Sequence, residues 1–218
     1  MKRILWDGKN YILFAALVFI VGSWMGYVLS PLFEALIMQM LEQLVDIKDR
    51  LEGKSPLFMA LFIFQNNAQA AFIMLGLGSI LFFVPLFSLF ANGLALGYVL
   101  KMTQASGLSP LAMFIYGILP HGVFELPAII VSGGMGLFLG LRLLNWFFGK
   151  GMFLAHVFGQ TRGDLAQFWR EQSLPVLISR LKGLGKLVFL IVFTLFVAAM
   201  IEGFITPLLI EAFIPLPS

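Results

Sequence analysis

The fold is decided by a long uncharged stretch, residues 55–100, which reads SPLFMALFIFQNNAQAAFIMLGLGSILFFVPLFSLFANGLALGYVL. These 46 residues between Lys54 and Lys101 would form about 69 Å of α-helix at a rise of 1.5 Å per residue. The hydrocarbon core of a bilayer is only about 30 Å thick. The stretch therefore predicts two membrane-spanning helices, over residues 57–76 and 81–103, joined by a turn.

The composition of the whole chain agrees with a membrane protein. Of 218 residues, 60% are hydrophobic and 11% are charged, whereas soluble domains carry roughly 25% charged residues. A water-soluble domain of this size could not bury so much apolar surface, and a disordered chain would not contain it. We therefore expect an integral protein of the lipid bilayer, with no nucleic-acid partner.

The absence of cysteine narrows the chemistry further. With no cysteine in the chain, disulfide scaffolds, thiol catalysis and zinc–cysteine sites are excluded. The formal net charge of +3 is typical of membrane proteins, whose cytoplasmic segments collect lysine and arginine.

The remaining apolar runs complete the predicted architecture. They predict three more spans, at residues 11–33, 110–141 and 187–210. Two charged segments with apolar residues at helical spacing, 34–56 and 150–182, are predicted to lie as amphipathic helices at the membrane interface. The fold class predicted is an all-α polytopic bundle of about five spanning helices, forming a single domain over residues 1–218.

The positions of the basic residues indicate how the chain is oriented in the membrane. With five crossings and an inside N-terminus, ten Lys and Arg lie inside and four outside, whereas six crossings with an outside N-terminus give eleven and three. The count alone leaves both topologies open. Because Lys2, Arg3 and Lys9 precede the first span and the first helix usually dominates orientation, we expect five crossings of the cell (inner) membrane and a cytoplasmic N-terminus.

Several polar residues fall inside the predicted spans. They are Asn66, Asn67, Asn92, His121, Glu125 and Glu202. An ionisable residue at the bilayer centre costs about 2.5–3.5 kcal/mol on insertion scales, so such groups should face the bundle interior and pair with one another. We expect Asn66 or Asn92 to form a hydrogen bond with His121 or Glu125.

His121 and Glu125 are four residues apart and share one face of a helix. The pair is compatible with a structural clamp between helices, an ion or solute path, or acid–base chemistry. As a metal motif it is weak, because zinc sites need three or four ligands and the other histidine, His156, lies in a polar segment. We therefore predict no metal and no cofactor.

Prolines and small residues add two structural expectations. Pro120 and Pro127 each lack an N–H group and predict a broken or re-entrant segment between them. Glycines at four-residue spacing predict close helix packing, at Gly22, Gly26, Gly93, Gly97, Gly136 and Gly140. The same spacing leaves a homo-oligomer open.

The combination of motifs resembles the stage II sporulation protein M family. The resemblance rests on Asn66-Asn67, Asn92-Gly93, the stretch PHGVFELPA at residues 120–128, and Glu202 followed by Thr206-Pro207. It implies a multi-span inner-membrane protein. The sporulation members of the family are thought to anchor a cell-wall-degrading machine at the septal membrane during engulfment, which would make the partners membrane or cell-wall remodelling proteins.

Three function classes follow. The favoured one is a membrane scaffold or anchor, and not an enzyme. The alternative is a transporter or channel whose polar site is lined by Asn66, Asn92, His121, Glu125 and Glu202. The third is an intramembrane hydrolase using His121 and Glu125, which ranks last because no nucleophile is evident.

Overall fold

A computed structural model describes residues 1–33, 53–148 and 174–214, and these ranges are helical. The helices are α1 (Lys2–Val28), α2 (Pro56–Gly76), α3 (Phe83–Ala105), α4 (Leu119–Phe148), α5 (Leu174–Phe204) and α6 (Thr206–Phe213). Short 3₁₀ turns follow α1 and α2, at Ser30–Phe33 and Leu77–Ser79. Most of the predicted interfacial segments 34–56 and 150–182 lies outside the described residues.

Five helical stretches are long and apolar enough to cross a membrane. They are Lys2–Val28, Pro56–Ser79, Phe83–Ala105, Pro110–Leu141 and Gly183–Phe204. The prediction of an all-α, five-span membrane bundle is confirmed. The fifth span ends at Phe204, before the predicted residue 210, because the helix is interrupted at Ile205. Pro207 explains the interruption, since its ring would clash with a carbonyl oxygen one turn earlier in a continuous helix.

Two spans begin with the same local signal, a serine followed by a proline. The Ser55 hydroxyl accepts a hydrogen bond from the Phe58 amide at 3.3 Å, and the Ser109 hydroxyl accepts one from the Ala112 amide at 3.3 Å. The serine satisfies a backbone donor that has no partner within the helix. The proline fits the first helical position, where its missing N–H costs nothing.

The helices α1 and α3 run parallel and touch backbone to backbone. Gly22 and Gly26 of α1 lie against Gly93 and Gly97 of α3. A Cβ atom at any of the four would meet a backbone carbonyl oxygen of the facing helix, as that of Gly97 would meet the oxygen of Ser23. Only glycine permits this approach.

The fourth span is the centre of the bundle. In its most apolar stretch of 18 residues, 56% are buried, whereas only 22–28% are buried in the corresponding stretches of the other four spans. Gly136 and Gly140 of α4 lie against the carbonyl oxygens of Met74 and Gly78, so α4 packs directly on the end of α2. On the side facing α1, the Phe138 ring meets the Tyr11 ring edge-on, with centroids 5.4 Å apart.

The predicted break between Pro120 and Pro127 is not found in the structure, because α4 runs through both prolines. The irregularity precedes them. One α-helical turn at Pro110–Ala112 leads into a π-helix, Met113–Ile118, which ends directly before α4. Pro120 has no N–H to donate to the carbonyl groups of the preceding turn. In the wider π-helical turn these carbonyl groups lie at different positions than they would in an α-helix. Tyr116 of this π-helix stacks on Phe213 of α6 with ring centroids 4.5 Å apart.

The glycine contact predicts a position-dependent effect of one methyl group. Gly97→Ala should lower the free energy of unfolding by about 1–3 kcal/mol, because the new Cβ collides with backbone that cannot move away independently. The matched control is Gly76→Ala on α2, where a Cβ atom meets nothing within 4 Å. Detergent unfolding curves of both variants provide the measurement. Equal stability of the two variants would contradict the packing described for α1 and α3.

Candidate functional site

Three ionisable side chains from two spans meet inside the bundle. His121 and Glu125 lie one turn apart on α4, and Glu202 lies in the last turn of α5. One ligand atom from each side chain, a ring nitrogen and two carboxylate oxygens, lies within 4.8 Å of the others. All three residues are partly buried. We refer to them as the His–Glu–Glu cluster.

Two further polar side chains hold this cluster in place. Nδ1 of His121 lies 3.3 Å from the hydroxyl oxygen of Thr206, the buried first residue of α6. The side chain of Asn67 on α2 lies close enough to Glu125 to interact with its carboxyl group. Polar contacts therefore join four helices at one place in the bundle.

The backbone explains why Glu202 reaches the other two residues. Gly203 lies against Ala60 and the carbonyl oxygen of Pro56, so the end of α5 is close to the start of α2. The interruption at Ile205 then turns the chain, which places Thr206 beside His121. The same break puts Glu202 two residues from the end of its span. Glu202 was expected deep within a longer last span.

Two of the predicted polar residues lie elsewhere. Asn66 is exposed on the outer surface of α2. Asn92 is also exposed, and its amide donates to the carbonyl oxygen of Ser88 on its own helix at 2.8 Å. The expected bond from Asn66 or Asn92 to His121 or Glu125 is not formed among the described residues. Asn67 takes that place, because consecutive helical residues point about 100° apart and only one of the two asparagines faces α4.

Thr206 was missed as a site residue, although a signal was present. Thr206 and Pro207 follow Glu202 by one turn, and a hydroxyl beside a helix-breaking proline commonly satisfies neighbouring polar groups in membrane helices. The cluster offers two carboxylate groups and one imidazole, the donor set for a cation or a shared proton. His156 lies outside the described residues.

Comparison with known proteins gives a family and two relatives. The family described as "Stage II sporulation protein M" matches residues 15–207. An uncharacterized protein of Methanocaldococcus jannaschii, MJ0706, is 30% identical over 206 residues, which cover 91% of this chain and 82% of that protein. A second uncharacterized protein of the same organism, MJ0793, is 27% identical over 146 residues, covering 66% of this chain and 69% of that protein. No solved structure matches significantly.

The adjacent residues Asn66 and Asn67 provide a test of how α2 contacts the His–Glu–Glu cluster. Asn67→Leu removes the polar interaction with Glu125 and should lower the free energy of unfolding by about 0.6–1.7 kcal/mol, the range measured for hydrogen bonds between membrane helices. Asn66→Leu, which alters an exposed position, should leave stability unchanged or higher. Thermal unfolding in one detergent compares the two variants. If Asn66→Leu lowers the stability more than Asn67→Leu does, α2 turns a different face toward the bundle than the structure shows.

Proposed function

We propose that this chain, which belongs to the stage II sporulation protein M family, is a membrane anchor that binds the spanning helices of partner proteins along α2. The family resemblance supports the anchoring role and suggests membrane or cell-wall remodelling proteins as the partners. In this proposal the protein lies in the cell membrane with its N-terminus in the cytoplasm, as the basic residues before the first span suggest.

The observation that carries the proposal is a groove on the outer surface of α2. The groove has a volume of about 720 Å³ and contains two glutamines, Gln65 and Gln69, among apolar side chains of α2 and Val192 of α5. Both glutamines are exposed, one helical turn apart, near the middle of the span Pro56–Ser79. Within the described ranges neither side chain has a hydrogen-bond partner. Lipid chains provide none either.

The chemistry of the groove indicates the kind of partner. An uncharged amide at membrane depth is best satisfied by an amide or hydroxyl group on another spanning helix. Two turns beyond Gln69, Gly76 is exposed and a Cβ atom there would meet nothing within 4 Å. A small residue at this position lets a second helix approach the backbone of α2 closely. The groove therefore suits a partner helix that carries a polar residue near its middle.

A synthetic spanning helix tests this docking directly. The probe is a leucine–alanine peptide of about 20 residues with a central glutamine and a donor dye. The protein carries an acceptor at Lys54→Cys, its single cysteine, beside the start of α2. In lipid nanodiscs the glutamine peptide should give energy transfer, and the all-leucine peptide should not. The double change Gln65→Leu and Gln69→Leu should weaken binding about five- to thirtyfold, which corresponds to about 1–2 kcal/mol.

The matched control is Asn92→Leu, which removes an exposed amide from another span and should leave peptide binding unchanged. Equal binding of the two peptides would overturn the proposal. Energy transfer between two labelled copies of the protein, abolished by the double change, would show instead that the groove holds a second copy of the chain.

Cation transport is the second candidate function, and the His–Glu–Glu cluster supports it. Ionisable residues within spans mark ion pathways in many transporters. In liposomes under a pH gradient, a proton transporter should produce a flux that Glu125→Gln abolishes and Glu211→Gln, a change at an exposed carboxylate on α6, preserves. The anchor hypothesis expects no flux from any of these proteins.

A further inference from the structure

We propose that the His–Glu–Glu cluster is a binding site for a first-row divalent metal ion, with zinc as the ion to test. The ligands are one ring nitrogen of His121 and one carboxylate oxygen each from Glu125 and Glu202, which come from two different spans. This inference concerns a site inside the bundle and does not depend on the groove of α2.

The spacing of the ligand atoms suits a single ion. They lie within 4.8 Å of one another, while ligands of a tetrahedral zinc lie about 3.3 Å apart for metal–ligand bonds of about 2.0 Å. Each glutamate side chain has three rotatable bonds, and the proposed site requires only their rotation to close this difference. The i, i+4 spacing of His121 and Glu125 puts two ligands on one face of α4.

The surroundings of the ligands match those of known metal sites. A metal-bound histidine normally donates its other ring N–H to an oxygen, which fixes the orientation of the ring. The Thr206 hydroxyl lies 3.3 Å from Nδ1 of His121. In the proposed site Nδ1–H would donate to Thr206, which would leave Nε2 for the metal. Ligating carboxylates are likewise held by polar neighbours, and the Asn67 side chain interacts with the carboxyl group of Glu125. Two independent outer contacts thus orient two of the three ligands.

A divalent ion would balance the charge of the two carboxylate groups. Two ionised carboxylate groups this close together repel each other strongly in a medium of low dielectric constant. A divalent ion neutralises both groups at once, so the occupied site carries no net charge inside the membrane. A single proton shared between Glu125 and Glu202 would remove only part of the charge.

The donor set indicates the class of metal. Imidazole nitrogen suits zinc, iron and other first-row ions, carboxylate oxygen is accepted by most of them, and the absence of cysteine excludes thiolate-selective copper(I) sites. Three protein ligands leave at least one position open for water, as in sites where zinc binds or activates a small molecule.

The experiment measures zinc binding by the purified full chain, with any polyhistidine tag removed. After treatment with a chelator, equilibrium dialysis against zinc should return one ion per chain and raise the melting temperature. Glu202→Gln should weaken binding at least tenfold, and Thr206→Val about ten- to a hundredfold, as measured for outer contacts of metal ligands. The control Glu211→Gln on α6 should bind zinc like the unaltered chain.

X-ray absorption of the zinc-loaded, unaltered protein gives a result that needs no folded variant. The expected first shell contains only nitrogen and oxygen, with the multiple scattering of one imidazole. Failure to bind zinc, a spectrum without imidazole, or full binding by Glu202→Gln would each overturn the metal site. Any of these results leaves the docking proposal unaffected, because the peptide assay reads a different surface.

Discussion

Close contact between backbones at glycine residues holds this bundle together. Spanning helices gain no hydrophobic free energy from leaving lipid for one another, so their association depends on dense packing and on hydrogen bonds. Gly97 of α3 lies against the backbone of α1, and Gly136 and Gly140 of α4 lie against the backbone of α2. These contacts join α1 to α3 and α2 to α4. The side chains of Leu89, Met135 and Leu195 fill the space between the helices.

The close approach of the helices also brings the polar residues of the site together. Gly203 lies against the start of α2, and the preceding residue, Glu202, lies near His121 and Glu125. Asn67 and Thr206 then satisfy groups that lipid could not. A bundle with longer distances between helices would leave each of these side chains in an apolar medium without a partner. The polar cluster and the glycine contacts are therefore parts of one arrangement.

The two glutamines of α2 illustrate the opposite situation. Gln65 and Gln69 lie on the outside of the bundle, in the groove beside α5. The inward-facing His121 and Glu125 have polar neighbours within the fold, whereas neither glutamine has a hydrogen-bond partner among the described residues. The inward-facing cluster is therefore a site within the chain, whereas the groove on the outside of α2 is a surface that suits another helix. The anchor hypothesis rests on the groove, and the metal hypothesis rests on the cluster.

The sequence determines the spans of this protein more fully than it determines the polar site. Helix class and the position of spans such as those in residues 55–100 followed from uncharged runs, because crossing lipid requires a fixed length of helix whose backbone is satisfied internally. The choice of five rather than six crossings rested on the basic residues before the first span. The i, i+4 pair His121 and Glu125 also followed, because one helical turn sets their relation. The π-helix at Met113–Ile118 did not follow, since Pro120 and Pro127 read alone predict a break at the prolines themselves.

The sequence by itself determined that the chain is a helical membrane protein of about five spans, that it resembles the family to which it belongs, and that several polar groups lie within its spans. Only the tertiary structure decided which of those groups meet. It selected Asn67 over Asn66, left Asn92 on the surface, and added Thr206 to the site. The physical reason is that span length and helical periodicity are local properties of the chain. The rotation of each helix and its neighbours depend instead on packing between residues far apart in sequence, such as Gly203 and Ala60.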